Sequence, residues 1–235
     1  YPDDIATLSR SWLMLGDSEE AERLLLGCLE KSSQNATLLS THWMALMVAR
    51  RYEEAETLVR ELKAQFGEGV PAPVERNLNF QLGMIALVRS DYPEARRLLT
   101  AAIGEEDRAA YNGDEVTTVT LASLAAGQLG ETEEARELLE SAERRIQRGR
   151  LNGVDDPFIY YNEAVLLAMR SEPDQALEKL REAYERGFRE QWVMEIDTRL
   201  APLRDQPEFI TLMNRMRDEL SQARVEVASL SVAAL

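Results

Sequence analysis

Side chains able to do chemistry near neutral pH are scarce in this sequence. There is one histidine, His42, and one cysteine, Cys28. A Cys–His nucleophile needs a third, orienting group, and a zinc site needs three or four ligands. One residue of each type assembles neither, and a single cysteine leaves no internal disulfide. Cys28, at the end of a leucine run, reads as a small buried packing residue. His42 lies in LLSTHWMALMV with no Asp or Cys at motif spacing, and reads as an inter-helix packing or hydrogen-bonding residue.

Carboxylates are the opposite case. Pairs occur at Glu19-Glu20, Glu53-Glu54, Glu105-Glu106 and Asp155-Asp156. Acid–base catalysis needs one carboxylate held in a desolvated site. These pairs fall at expected helix starts and in loops, where charge is solvated. No GxxxxGK[ST], GxGxxG, HExxH, GxSxG or CxxC is present. The expectation is a protein that is not an enzyme and carries no metal or cofactor.

Acidic residues outnumber basic ones 42 to 27, a net charge of −15. Such a surface repels nucleic-acid phosphates and anionic lipid headgroups. No apolar run approaches the roughly 20 residues of a membrane span. A composition of 45% hydrophobic and 29% charged residues is that of a folded chain rather than a disordered one. The first residue, Tyr1, is not Met, and a piece of a longer polypeptide is expected.

Several of the carboxylate pairs belong to a recurring decamer. GDSEEAERLL from Gly16 returns as RYEEAETLV from Arg51, DYPEARRLL from Asp91, GETEEARELL from Gly130 and EPDQALEKL from Glu172. Its alanines, Ala21, Ala55, Ala95, Ala135 and Ala176, are spaced by 34, 40, 40 and 41 residues. A near-constant period in this range marks stacked helical hairpins. Stretches such as IATLSRSWLML, NFQLGMIALV, TVTLASLAAGQL and FIYYNEAVLLAM, apolar at intervals of three and four, precede the copies as first helices. Gly16 and Gly130 can end a first helix in the left-handed conformation, and Asp17 or Asp91 can cap the second. Glu20, Glu54, Glu94 and Glu134 stand at capping-box spacing. Pro93 and Pro173 sit where a first turn needs no donor. The alanine suits the close crossing of the two helices.

These residues resemble the tetratricopeptide repeat. The third unit shows it in Leu82-Gly83, Tyr92, Ala95, Leu99 and Ala102. The first has Leu8-Ser9, Trp12, Gly16, Ala21, Leu25 and Cys28, and the fifth has Tyr160, Ala164, Leu167, Ala176, Leu180 and Ala183. The resemblance implies an all-α, right-handed α-solenoid of five helix-turn-helix repeats at about 2–35, 36–69, 76–109, 116–149 and 157–190. Trp43 departs from it at a small-residue position, and no unit ends in the family's proline. The longer period implies second helices extended by about six residues, or roughly 9 Å. Residues 191–235 are expected to cap the array, with Phe209, Leu212, Met213, Met216, Leu220 and Ala223 as the apolar stripe of a final helix. The stretch from Asp197 to Phe209 looks like the tail that ends the repeat region of multidomain bacterial signalling proteins.

The resemblance also implies a concave groove, lined by first helices, that binds a peptide or helix of a protein partner. The groove positions are Arg10 and Met14, then Met44 and Met47, then Phe80, Gln81 and Met84. Leu124 and Gln128 follow, then Tyr161, Asn162 and Val165. Methionine adapts to varied helices, although the helical period does not separate a groove position from a packing one. The clamp that holds acidic chaperone C-termini is missing, because its positions carry Ala6, Arg10, Asn77 and Gln81. The expected role is a non-enzymatic interaction or sensory module of a bacterial regulator, with a self-assembling scaffold as the alternative. The expected location is the cytoplasm, or the periplasm if a membrane span precedes Tyr1.

Overall fold

A computed structural model describes residues 1–32, 35–104 and 111–233, so Glu105 and Glu106 lie outside the described residues. Its described residues form α-helices and short 3-10 turns, with no strand among them. Five hairpins follow one another. They are α1 (Pro2–Met14) with α2 (Ser18–Leu29), α3 (Ala36–Val48) with α4 (Tyr52–Phe66), and α5 (Ala72–Val88) with α6 (Tyr92–Ala102). The last two are α7 (Gly113–Gln128) with α8 (Thr132–Leu151) and α9 (Pro157–Met169) with α10 (Pro173–Glu185). Then come α11 (Gln191–Ile196), a 3-10 segment (Thr198–Leu203) and α12 (Pro207–Ala233). The extended second helix expected from the period is realised in α8, with 20 residues, whereas α6 has 11.

One turn geometry builds all five hairpins. A residue in the left-handed region ends each first helix: Gly16 (φ 78), Arg50 (φ 59), Ser90 (φ 59), Gly130 (φ 80) and Ser171 (φ 62). The next amide folds back onto the first helix: Asp17 N–H to Trp12 O, Arg51 to Leu46, Asp91 to Ala86, Glu131 to Ala126 and Glu172 to Leu167, at 2.9 to 3.0 Å. This is a Schellman closure. It also corrects the capping-box expectation. The amide a capping-box glutamate would accept from is already donated to the preceding helix. Those glutamates pair instead with arginines, Glu20 with Arg23, Glu54 with Arg51, Glu94 with Arg97 and Glu134 with Arg96. Only the aspartate half of the box survives, with Asp17 accepting from Glu20 N–H at 3.0 Å and Asp91 from Glu94 N–H at 3.3 Å.

The close crossing follows. Ala21, Ala55, Ala95 and Ala176 have no exposed surface, and Ala135 is partly covered. At Gly83 a Cβ would stand 2.7 Å from Leu99 Cγ, so α5 and α6 approach closely enough to exclude a side chain.

The chain divides into two compact units, one of Tyr1–Leu58, Arg189–Ile196 and Ile210–Leu235, the other of Val59–Phe188 and Asp197–Phe209. Of the residues after the hairpins, 189–196 and 210–235 fall in the first unit and 197–209 in the second. In the first unit α3 packs on both α1 and α2, around Ala6, Leu13, Ala21, Leu25, Leu38 and Ala45, with Cys28 against that core. His42 there lies 3.4 Å from Glu22, which also accepts from Arg51 at 2.6 Å. Trp43 is buried despite its size. In the second unit α7 packs on α5 and α6, α9 on α7 and α8, and the 3-10 segment on α9 and α10. Within each unit a first helix thus beds on the hairpin before it, the packing rule of an α-solenoid.

Two substitutions should shift thermal unfolding in opposite directions. Ser90→Gly relieves a left-handed residue and should stabilise by about 1 kcal/mol. Gly83→Ala drives a methyl into the fully buried Leu99 and should destabilise by about 1 to 3 kcal/mol.

Candidate functional site

The twelve predicted groove residues all lie on first helices, but they meet different fates. In the first unit Arg10 and Met14 are exposed on α1, Met44 is half-buried on α3, and Met47 is buried. In the second unit Phe80, Met84 and Leu124 are half-buried around the core of Ala86, Leu87, Ala95, Leu99, Leu121, Ala122 and Ala125. Gln128 is exposed at the end of α7. Gln81, Tyr161, Asn162 and Val165 are buried. Met47 and these four offer no open surface, because their side chains are spent on packing and on internal hydrogen bonds.

On α9 the reason is visible. The tail from Asp197 to Leu203 lies on the first-helix side of the last two hairpins. Tyr161 donates its hydroxyl to Asp197 Oδ2 at 2.5 Å and stacks on Phe188 with ring centroids 4.7 Å apart. Arg199 donates to the same carboxylate through Nε at 2.8 Å and Nη2 at 2.6 Å, and reaches α7 at Thr120 Oγ1, 2.5 Å, and Thr117 O, 3.3 Å. Arg204 donates to Asp197 O at 3.2 Å. The Asp197 and Arg199 side chains are each 3% exposed, and Leu200 and Leu203 are fully buried. Asn162 is taken up separately, donating to Tyr111 OH at 3.0 Å and accepting from Thr117 Oγ1 at 3.4 Å.

The electrostatics describe a lock rather than a reactive centre. Burial, and then the Asp197 charge, hold the Tyr161 hydroxyl well above its usual range, so it stays protonated. Burial works against the Asp197 charge, but Arg199 and the bonds from Tyr161 and the Arg199 amide outweigh it and hold the carboxyl below 3.8. Tyr111 is pushed up to about 12 by burial. At neutral pH none of these groups is poised to exchange a proton. Among the described residues no three His, Cys, Asp or Glu side chains gather as a metal site, and no helix is long and apolar enough to cross a membrane. The lock was missed in the sequence because its members are up to 82 residues apart. The available signal was an Asp-x-Arg-Leu-x-x-Leu string whose two charges sit directly before two apolar residues.

A family model described as Tetratricopeptide repeat matches residues 6–26 and 119–141, within the first and fourth hairpins. The first and fourth hairpins thus match the tetratricopeptide repeat. Among curated proteins nothing matches the chain. Among solved structures it is similar to MamA, at 15% identity over 76% of this chain and 93% of that chain, with a TM-score of 0.45. A second similar structure, MamA 41-end from Desulfovibrio magneticus RS-1, shares 17% identity over 78% of this chain and 93% of that one, with a TM-score of 0.41. Likenesses of this size carry nothing about ligands or partners.

Removing one member of a buried pair leaves the other charge uncompensated. Asp197→Asn should therefore lower unfolding free energy at neutral pH by about 3 kcal/mol or more. The folded Asp197 pKa is depressed, so its contribution is complete above its ordinary 3.8 and is lost as pH falls through the folded value. In urea titrations the gap between wild type and Asp197→Asn should narrow below about pH 4; a gap that is constant with pH would refute this linkage.

Proposed function

We propose that this chain is a protein-interaction module, part of a larger cytoplasmic bacterial signalling or regulatory protein, which takes a helix or peptide of a partner on its first helices. The observation that carries the reading is the row Phe80, Met84 and Leu124 on α5 and α7. These are large, adaptable apolar side chains left half-covered at the rim of the core, with the amide of Gln128 exposed beyond them. That mixture suits an amphipathic helix laid into a groove. The α9 face is closed by the tail, which directs a partner towards α5 and α7. Arg10, Met14 and Met44 are the corresponding open positions of the first unit.

The test compares the full chain with a Phe80→Glu, Met84→Glu variant and with Glu137→Lys, a charge change on the exposed side of α8. A partner captured from the host should be produced pure and titrated against all three. The double variant should bind at least about tenfold more weakly, while Glu137→Lys matches wild type. Equal binding by all three would sink the groove assignment.

A second reading, self-assembly into a scaffold, is supported by α12, where Val225 is 68% and Val227 37% exposed. Exposed apolar residues on a terminal helix suit a contact between copies. Light scattering should then show a mass above that of one chain which falls on Val225→Glu. A single-chain mass for both proteins rejects this reading.

A further inference from the structure

The last helix returns to the first hairpin. From Ile210 onward α12 belongs to the unit formed by Tyr1–Leu58, and α11 lies in that unit with it. Arg189 pairs with Glu219 at 3.3 Å and Arg217 with Glu195 at 3.6 Å, tying α12 to α11 and its approach. At the far end Arg224 donates through Nε to Leu15 O at 3.0 Å and through Nη2 to the same oxygen. Leu15 is the C-cap of α1, and its carbonyl lies at the negative end of the helix dipole, where a guanidinium is favoured. Arg224 Nη2 would stand 2.9 Å from a Cβ on Gly16, so the latch closes over the left-handed turn itself.

Burial along α12 is uneven. Met213, Met216 and Leu220 are covered, and no residue from 221 to 227 is buried. Spacings of three, four and four put Met213, Met216, Leu220 and Arg224 on one face. Over residues 221–227 the helix has no buried apolar anchor, and Arg224 there donates to hairpin one. Local opening energies follow such differences, with poorly buried ends opening first.

We propose that the part of hairpin one beneath α12 is a helix-binding face whose resident, α12 itself, gives way to a partner helix of the same pattern, with Arg224 as the latch. The partner is an amphipathic helix with large apolar residues at i, i+3 and i+7 and an arginine at i+11. A basic residue at that place also suits a chain of net charge −15. The inference rests on the reading of the chain as an interaction module and names the class of partner for its first unit. Because the resident competes, a partner sees only the fraction of molecules in which α12 has lifted, and weakening the latch raises that fraction.

The probe is a fluorescent peptide of residues 207–227, titrated into the full chain and into full-chain Arg224→Ala, with hydrogen exchange followed in both. In Arg224→Ala the amides of 221–227 should exchange about tenfold faster, and the peptide should bind about tenfold more tightly than to wild type. Arg224→Lys, which keeps the charge and a donor, should fall between. On either chain the parental peptide should displace a peptide carrying Arg224→Ala, because Leu15 O selects the guanidinium. Unchanged exchange at 221–227 would show that Arg224 is no latch. Faster exchange with no peptide bound, or equal binding of both peptides, would overturn the helix-binding face. The peptide competition on wild-type chain stands even if Arg224→Ala folds poorly. It is independent of Phe80 and Met84, so its failure leaves the groove on α5 and α7 to be judged by its own test.

Discussion

The structure depends on one backbone amide used in an unexpected direction. At the start of every second helix, the N–H that a cap residue would normally keep for a side chain is donated backward to the first helix, as in Asp17 N–H to Trp12 O. With that bond made, the two helices leave the turn at a fixed angle. Their closest approach then falls on Ala21, Ala55, Ala95 and Ala176, none of which is exposed. The left-handed residue is the cost of the closure. Glycine meets it freely at positions 16 and 130, while Arg50, Ser90 and Ser171 carry strain of about 1 kcal/mol each that the closure and packing offset.

Local features were legible in the sequence because their physics is local. The decamer placed all five turns, and the alanine spacing placed all five crossings. The glutamates were misread for an equally physical reason. Capping-box spacing says that a carboxylate is within reach of an amide, not that the amide is free, and here the preceding helix had claimed it. Glu20, Glu54 and Glu94 instead bond arginines three residues away, and Glu134 bonds Arg96 of the preceding hairpin. Exposed pairs of this kind contribute little to stability.

The candidate site was only half legible, and the missing half is long-range. That first helices would carry Phe80, Met84, Tyr161 and Asn162 followed from register alone. Whether each side chain would meet solvent, a neighbour or the chain's own tail depended on where residues after 190 travel. No periodicity encodes that route. Asp197 and Arg199 join Tyr161 and Thr120 across 36 and 79 residues. A buried ion pair adds little net stability beside a well-packed apolar alternative. It does demand one arrangement of donors and acceptors, so it specifies a single seat for the tail.

The two tail segments are held by different chemistry, and this separates structure from recognition. Asp197 to Leu203 is buried, charge-paired and multiply hydrogen-bonded, so its release would leave several desolvated groups unpaired at once. That makes it a permanent part of the second unit. Over residues 221–227, α12 meets hairpin one with Arg224 on a helix-end carbonyl and buries no apolar side chain. A surface closed by the first kind of contact is lost to partners, whereas one closed by the second remains open to competition. The repeat supplies equivalent faces in every hairpin, and what distinguishes them is how firmly the chain covers each one.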